Sequence, residues 1–205
     1  MPVYSSKKLI LALEEQTEQF LDIAVSEWQM LPHSRFAHKA APEKWSANQC
    51  LQHLNSYGRY YLPELRKALQ KSTANPPAVF FRSGWLGNYF TMMMLPKPEG
   101  VKANKMKAPK DHQPVTNADS FKVIAEFIEQ QEQLLNLLRI ASQTDLNKAR
   151  VPISIAPFIK LKLGDVFSFL VAHNFRHVLQ ASRALVTAGE KPRELTELVF
   201  DNLAA

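Results

Sequence analysis

Four long segments of this chain place apolar residues at alternating three- and four-residue steps, the period of one face of an α-helix. The spacing predicts a first helix from about Ser6 to Leu31, with Leu9, Leu13, Phe20, Ala24, Trp28 and Leu31 on its stripe and Pro32 ending it. A second is predicted from Ser46 to about Lys71. Ser46 is a good N-cap and Gln49, three residues on, completes a capping-box pattern. Its stripe is Leu51, Leu54, Gly58, Leu62, Leu65 and Leu69, and Pro63 is expected to bend it. The third runs from about Asp119 to Ala141. The fourth runs from about Leu163 to Ala188, with Gly189 as the C′ residue. Residues 142–162, with Pro152 and Pro157, read as irregular, and 190–205 as one more short helix. With 6 Gly against 13 Pro, the pattern is that of long helices separated by proline-marked loops. The expected fold is therefore an all-α, four-helix bundle forming a single domain over residues 1–205, a length that suits one core.

One segment does not fit a plain bundle. Residues 72–117 form a long Pro-rich insertion between the second and third helices, with only Gly84 to Leu95 reading as helical. A loop this long in a compact domain is usually functional or disordered, and its Trp85, Tyr89, Phe90 and Met92–Met94 argue that part of it packs down as a lid. It also concentrates charge: Arg82, Lys97, Lys102, Lys105, Lys107 and Lys110 stand against only Glu99 and Asp111. The net charge of +6 therefore reads as a basic loop, solvated or drawing in an anionic substrate. No recognition motif accompanies it, so nucleic acid is not an expected partner. No stretch is long and apolar enough to span a membrane. The single cysteine, Cys50, cannot form an internal disulfide, which fits a cytoplasmic protein; its thiol reads as buried and inert.

His173 and His177 are four residues apart on the fourth helix, so their imidazoles share one face one turn apart. They interrupt a stripe that otherwise reads Val166, Leu170, Ala181 and Ala184. A buried imidazole needs a partner for each ring nitrogen. A shared metal ion supplies that; so do bonds from two core histidines to other helices or to water, and the pattern alone leaves both open. His53 lies roughly 130° from the centre of its helix's apolar stripe, on a flank with Tyr57 and Tyr60, and periodicity does not nominate it. His33, His38 and His112 lie in or near loops and read as surface residues, although His112, in the insertion, could approach the site.

The segment Trp45-Ser46-Ala47-Asn48-Gln49-Cys50-Leu51-Gln52-His53-Leu54 and the later His173-Asn174-Phe175-Arg176-His177 together resemble the two histidine motifs of the DinB/YfiT-like superfamily, in order and in separation, over roughly residues 5–188. The resemblance implies a four-helix bundle with an unusual connection order. It also implies one divalent metal ion, zinc or nickel, held by His53, His173 and His177. Some relatives in that superfamily are transferases using low-molecular-weight thiols; others are regarded as metal-dependent hydrolases.

Three neutral imidazoles leave an ion its full charge and at least one open position, where a water or thiol loses its proton near neutral pH. Two related activities follow: hydrolysis, or transfer of a small thiol to a small-molecule substrate. Tyr57, Gln49 and Gln180 are the candidates for supporting the ligands; Gln180, three residues past His177, shares the histidine face. The alternative is a non-catalytic metal-binding bundle acting as a homodimeric stress or scaffold protein.

Overall fold

The computed structural model describes residues 1–72, 76–96, 107–191, 193, 195–196 and 200–203. Lys97, Lys102 and Lys105, half of the basic residues counted in the insertion, lie outside them, as does much of the tail read as a short helix; of that tail, Phe200–Leu203 forms a 3-10 turn. In chain order the elements are β1 (Val3–Ser5), α1 (Ser6–Ile23), the single turn α2 (His33–Phe36), α3 (Ala47–Gln70), β2 (Phe80–Arg82), α4 (Trp85–Met94), α5 (Ser120–Ala141), β3 (Arg150–Ile153), β4 (Ala156–Lys162) and α6 (Leu163–Thr187).

The helix boundaries follow from their caps. Ser46 accepts from the Gln49 N–H while the Gln49 side chain accepts from the Ser46 N–H, each at 3.2 Å, so the capping box is complete. Asp119 caps α5 through the amide of Phe121 at 2.9 Å. Gly189 takes φ +93° after α6, and Glu190 N–H reaches back to the Leu185 carbonyl, as a C′ glycine permits. The helix predicted from Ser6 to Leu31 is instead α1 followed by a π-helical turn at Ala24–Trp28, where the Gln29 amide bonds the Ala24 carbonyl. The extra residue turns Trp28 inward against Phe36 and Phe127, at ring separations of 5.9 and 6.4 Å. Pro63 does not interrupt α3; it lies on the exposed side of a helix whose other faces are buried.

α3 packs on both α5 and α6, and α1 packs on the same two helices, so α1 stands diagonally opposite α3. Of the consecutive bundle helices α3 and α5 are neighbours, while α1 and α3 stand across the diagonal. The expected helical insertion is α4, which lies along α6. It is anchored twice. β2 pairs antiparallel with β1 at the N-terminus, Tyr4 facing Phe81. Asp165, buried in the first turn of α6, accepts the Ser83 hydroxyl at 2.6 Å and the Gly84 amide at 3.0 Å.

The segment 142–162, expected to be irregular, contains a hairpin: β3 pairs antiparallel with β4, Val151 opposite Leu161. Its two prolines argued against strands, yet a two-stranded ribbon has an outer edge where a missing N–H costs nothing. Alternation was present, with Val151 and Ile153 buried and Arg150 exposed. Tyr61 on α3 holds the ribbon, its hydroxyl accepting from the Ser154 amide at 3.1 Å.

Candidate metal centre

α3 buries two faces, one in the bundle core and one toward α6. His53 lies on the second, 3% exposed, opposite His173 and His177 at 2% and 9%. The three ring centroids form a nearly equilateral triangle of 5.0, 4.7 and 4.8 Å. One ligand nitrogen from each lies within 4.8 Å of the others. The Nε2 atoms of His53 and His173 are 3.2 Å apart. Two nitrogens each about 2.0–2.1 Å from a tetrahedral ion stand roughly 3.3 Å apart, so this pair is already spaced as an edge of such a site.

Hydrogen bonds on the far side of the rings fix which nitrogen faces inward. His53 Nδ1 donates to the His112 carbonyl at 2.7 Å, and His177 Nδ1 donates to Gln180 Oε1 at 3.0 Å. Both leave Nε2 as a lone pair directed at the cluster. His173 Nδ1 is buried with no partner. Whichever nitrogen of His173 carries its proton, the ring cannot be satisfied by its neighbours alone: a proton on Nε2 orphans an acceptor, and one on Nδ1 orphans a donor and sets two lone pairs against each other. A cation among the three nitrogens takes up the Nε2 lone pairs that otherwise face one another, and neutral imidazoles are the donors that zinc and nickel accept. The residues therefore fit one divalent ion.

Protonation agrees. Burial pushes His53 down to about 4, with the bond to His112 opposing, and pushes His177 down to about 3, with His53 and Arg176 adding to the effect. His173 is held well below its ordinary range by burial and by the neighbouring histidines and Arg176. All three are neutral at pH 7 and need shed no proton to bind a cation. The sign for stability follows. Below the unfolded value of 6.5 the unfolded chain takes up protons that the folded, metal-free chain refuses, so stability falls as the pH drops from 6.5 toward 4. Each histidine contributes about 1.4 kcal/mol per pH unit in that window. Urea unfolding in the presence of a chelator at pH 7, 6 and 5 measures it; a flat profile would mean the rings are not buried neutral.

Of the supporting residues expected from sequence, two are at the site. Gln180 holds His177, and the Tyr57 ring lies 4.3 Å from His173 and 5.0 Å from His53. Burial raises the Tyr57 hydroxyl to about 12, so it stays protonated. Gln49 is turned into the capping box. Cys50 is fully buried, its thiol raised by burial. His33 and His38 are exposed.

His112, expected at the surface, is 7% exposed and belongs to the site. Besides its carbonyl's bond to His53, its Nδ1 lies 2.9 Å from Ser56 Oγ, whose hydroxyl hydrogen goes to the His53 carbonyl. His112 Nδ1 must therefore be the donor. The backbone around it is held to α3 by Asn48, which donates to the Ala118 carbonyl, and by Gln52, which exchanges two bonds with Val115. Asn48, Gln52 and Ser56 recur every four residues, a polar row beside a buried helix face; that row was the available signal. Trp45 covers the opposite side, its ring 5.0 Å from His53 and 5.8 Å from His177.

The histidines open onto a cavity of about 810 Å³. α6 supplies Val166, Phe169, Arg176 and Gln180, α4 supplies Phe90, Met93 and Met94, and the hairpin supplies Ile153 to Ile155. Phe169 stacks on His173 at 5.7 Å, planes 7° apart. Among the described residues, no fourth His, Cys, Asp or Glu joins the three, and Glu43, exposed at the mouth, is the one carboxylate of the lining.

Fold and site together define a helical bundle with a buried tri-histidine cluster at the floor of a cavity. The sequence profile of the DinB superfamily matches residues 12–181, and the chain belongs to that superfamily. Among solved structures it resembles YfiT from Bacillus subtilis, described as a probable metal-dependent hydrolase with an unusual four-helix bundle topology. The two are 19% identical with a TM-score of 0.52, over 91% of this chain and 89% of that one, a likeness that carries the fold. A search of curated proteins found no match. Among the described residues, no helix is long and apolar enough to cross a membrane.

Proposed function

We propose that this protein is a metal-dependent enzyme, a hydrolase or a transferase of a low-molecular-weight thiol, with zinc or nickel held by His53, His173 and His177. The observation that carries the reading is that three neutral imidazoles converge at the floor of a substrate-sized cavity while, among the described residues, no fourth protein ligand closes the cluster. A structural zinc site normally has four protein ligands; three leave a position for a reactant. An ion in that place brings a water or thiol to its nucleophilic form near neutral pH. The chain's own residues orient the rings through the His112 carbonyl and Gln180, exclude water with Trp45, Tyr57 and Phe169, and shape the cavity with α4 acting as a lid. The family match and the YfiT likeness support the same reading.

Elemental analysis of protein purified without added metal, followed by thiol-transfer and ester- and amide-hydrolysis screens of the loaded protein, tests it. One zinc or nickel per chain with turnover abolished by a chelator is expected; full turnover without metal contradicts it. Replacing Gln180 with Leu should weaken metal affinity about 10–100-fold, the usual cost of losing an outer hydrogen-bond partner, as read by competition with a chromogenic chelator.

One observation favours a second reading. Trp85, Tyr89 and Met92 form an exposed apolar face on α4, at 72%, 53% and 51%, as a non-catalytic bundle pairing with a second copy would need. A monomer in sedimentation at high concentration rules it out.

A further inference from the structure

Arg176, on α6 immediately before His177, lines the cavity and is half-buried. Among the described residues it has no ion-pair partner, and its one acceptor is the Met93 carbonyl of α4, 3.3 Å from Nη1. A guanidinium carries five N–H donors in a planar fork, so most of this one is uncommitted. A cation half-withdrawn from water without a counter-ion is costly, and such groups are usually found paired. The other charged side chains of the lining, Glu43, Lys44 and Lys107, are exposed, and none of them forms an ion pair with Arg176 among the described residues. Most of the remaining lining is apolar or aromatic, with Phe90, Met93, Val166 and Phe169 on α4 and α6, and its uncharged polar side chains include Ser154 and Gln180.

We propose that the cavity binds an organic acid with an apolar, ring-sized body, its carboxylate paired with Arg176, its body against the wall formed by Phe90 and Phe169, which touch edge to face at 6.2 Å, and its other end presented to the histidines. The fork matches a carboxylate in two parallel hydrogen bonds. One guanidinium half-buried in the wall matches a single negative charge. The volume accommodates a molecule of this kind with room for a second reactant. The inference rests on the reading of the cavity as a substrate site, and names the substrate class.

The test is calorimetric titration of the full chain with phenylbutyrate and with phenylbutyramide, which share a shape and differ in charge. It is run on chelator-treated and on zinc-loaded protein. In chelator-treated protein the acid should bind about tenfold or more tightly than the amide. Arg176→Gln should bring the two to equal affinity without changing that of the amide, and Arg176→Lys, which keeps the charge but loses the fork, should retain part of the preference. Equal affinity for acid and amide in the unsubstituted chain, no measurable binding of the acid, or a preference that survives Arg176→Gln would each overturn the inference. The first comparison needs no variant, so a misfolded Arg176→Gln cannot mask the answer. A preference present in a chain that never binds metal would leave the acid site standing while the metal-enzyme reading fell. A preference seen only with zinc, and kept by Arg176→Gln, would place the carboxylate on the ion and sink this inference alone.

Discussion

Replacing His173 with Ala should empty the site: bound zinc or nickel falls from one per chain to under about a tenth, and any turnover found in the unsubstituted protein goes with it. His173 faces both other histidines, at ring separations of 5.0 and 4.8 Å. Its Nε2 is 3.2 Å from that of His53, and its ring is stacked on Phe169 and covered by Tyr57. Two remaining imidazoles cannot hold a divalent ion against water as three do, and the loss should exceed the 10–100-fold typical of an outer partner. The chain should nevertheless stay folded. His173 carries an unpartnered buried nitrogen in the metal-free protein, so deleting the ring removes a polar penalty along with some packing. Thermal unfolding with a chelator present should therefore differ little between variant and parent, while unfolding with zinc present should differ strongly, because only the parent gains linkage stabilisation. Retention of a full equivalent of metal by the variant would refute the assignment of His173 as a ligand.

Asp165→Ala is expected to cost about 3 kcal/mol and to loosen α4. The carboxylate is 1% exposed and joins the first turn of α6 to the start of the insertion helix through Ser83 and Gly84. Burial raises its pKa, with the Ser83 and Gly84 bonds and the nearby Lys162 and Arg150 opposing. Removing it strands a buried hydroxyl and a backbone N–H, and each stranded group costs about 1–3 kcal/mol. It also leaves a void where Gly87 packs so closely that a side chain there would collide with Asp165. Because Phe90, Met93 and Met94 hang from α4, the wall of the cavity and the carbonyl that meets Arg176 depend on this carboxylate. Urea unfolding should show the lower midpoint, and hydrogen exchange should show faster exchange in the amides of Trp85–Met94. Unchanged protection there would mean that the β1–β2 pairing holds the helix without Asp165.

How much of this could be read from the chain alone follows from what each residue depends on. The four bundle helices were legible because burial of one face writes a 3.6-residue period, and their ends were legible where Ser46 and Gly189 have local chemistry. His173 and His177 were legible as a pair because their spacing lies within one helix. His53 was not. α3 buries a second face against α6 and the insertion, and a second face broadens the stripe until its flank looks solvent-facing; only the resemblance nominated this residue. His112 was hidden for a different reason. It lies in an irregular, proline-rich run whose position is set by Asn48, Gln52 and Ser56 some sixty residues earlier, a non-local match that no period encodes. The hairpin is not legible because Pro152 and Pro157 cannot donate to a ladder and so read as breakers, although in a two-stranded ribbon they can occupy the outer edge. The π-helical turn at Ala24–Trp28 owes its place to what Trp28 packs against, not to its own residues.

The central claim is that imidazoles from two helices hold one ion and leave it open to the cavity. X-ray absorption spectroscopy of the zinc- or nickel-loaded protein tests this most directly. The expected spectrum has three imidazole nitrogens at about 2.0–2.1 Å, with the outer scattering of their rings and the remaining coordination from exchangeable light atoms. It should lose one imidazole in His53→Ala. A stoichiometric ion with one imidazole or none, or a spectrum unchanged by His53→Ala, would contradict the claim.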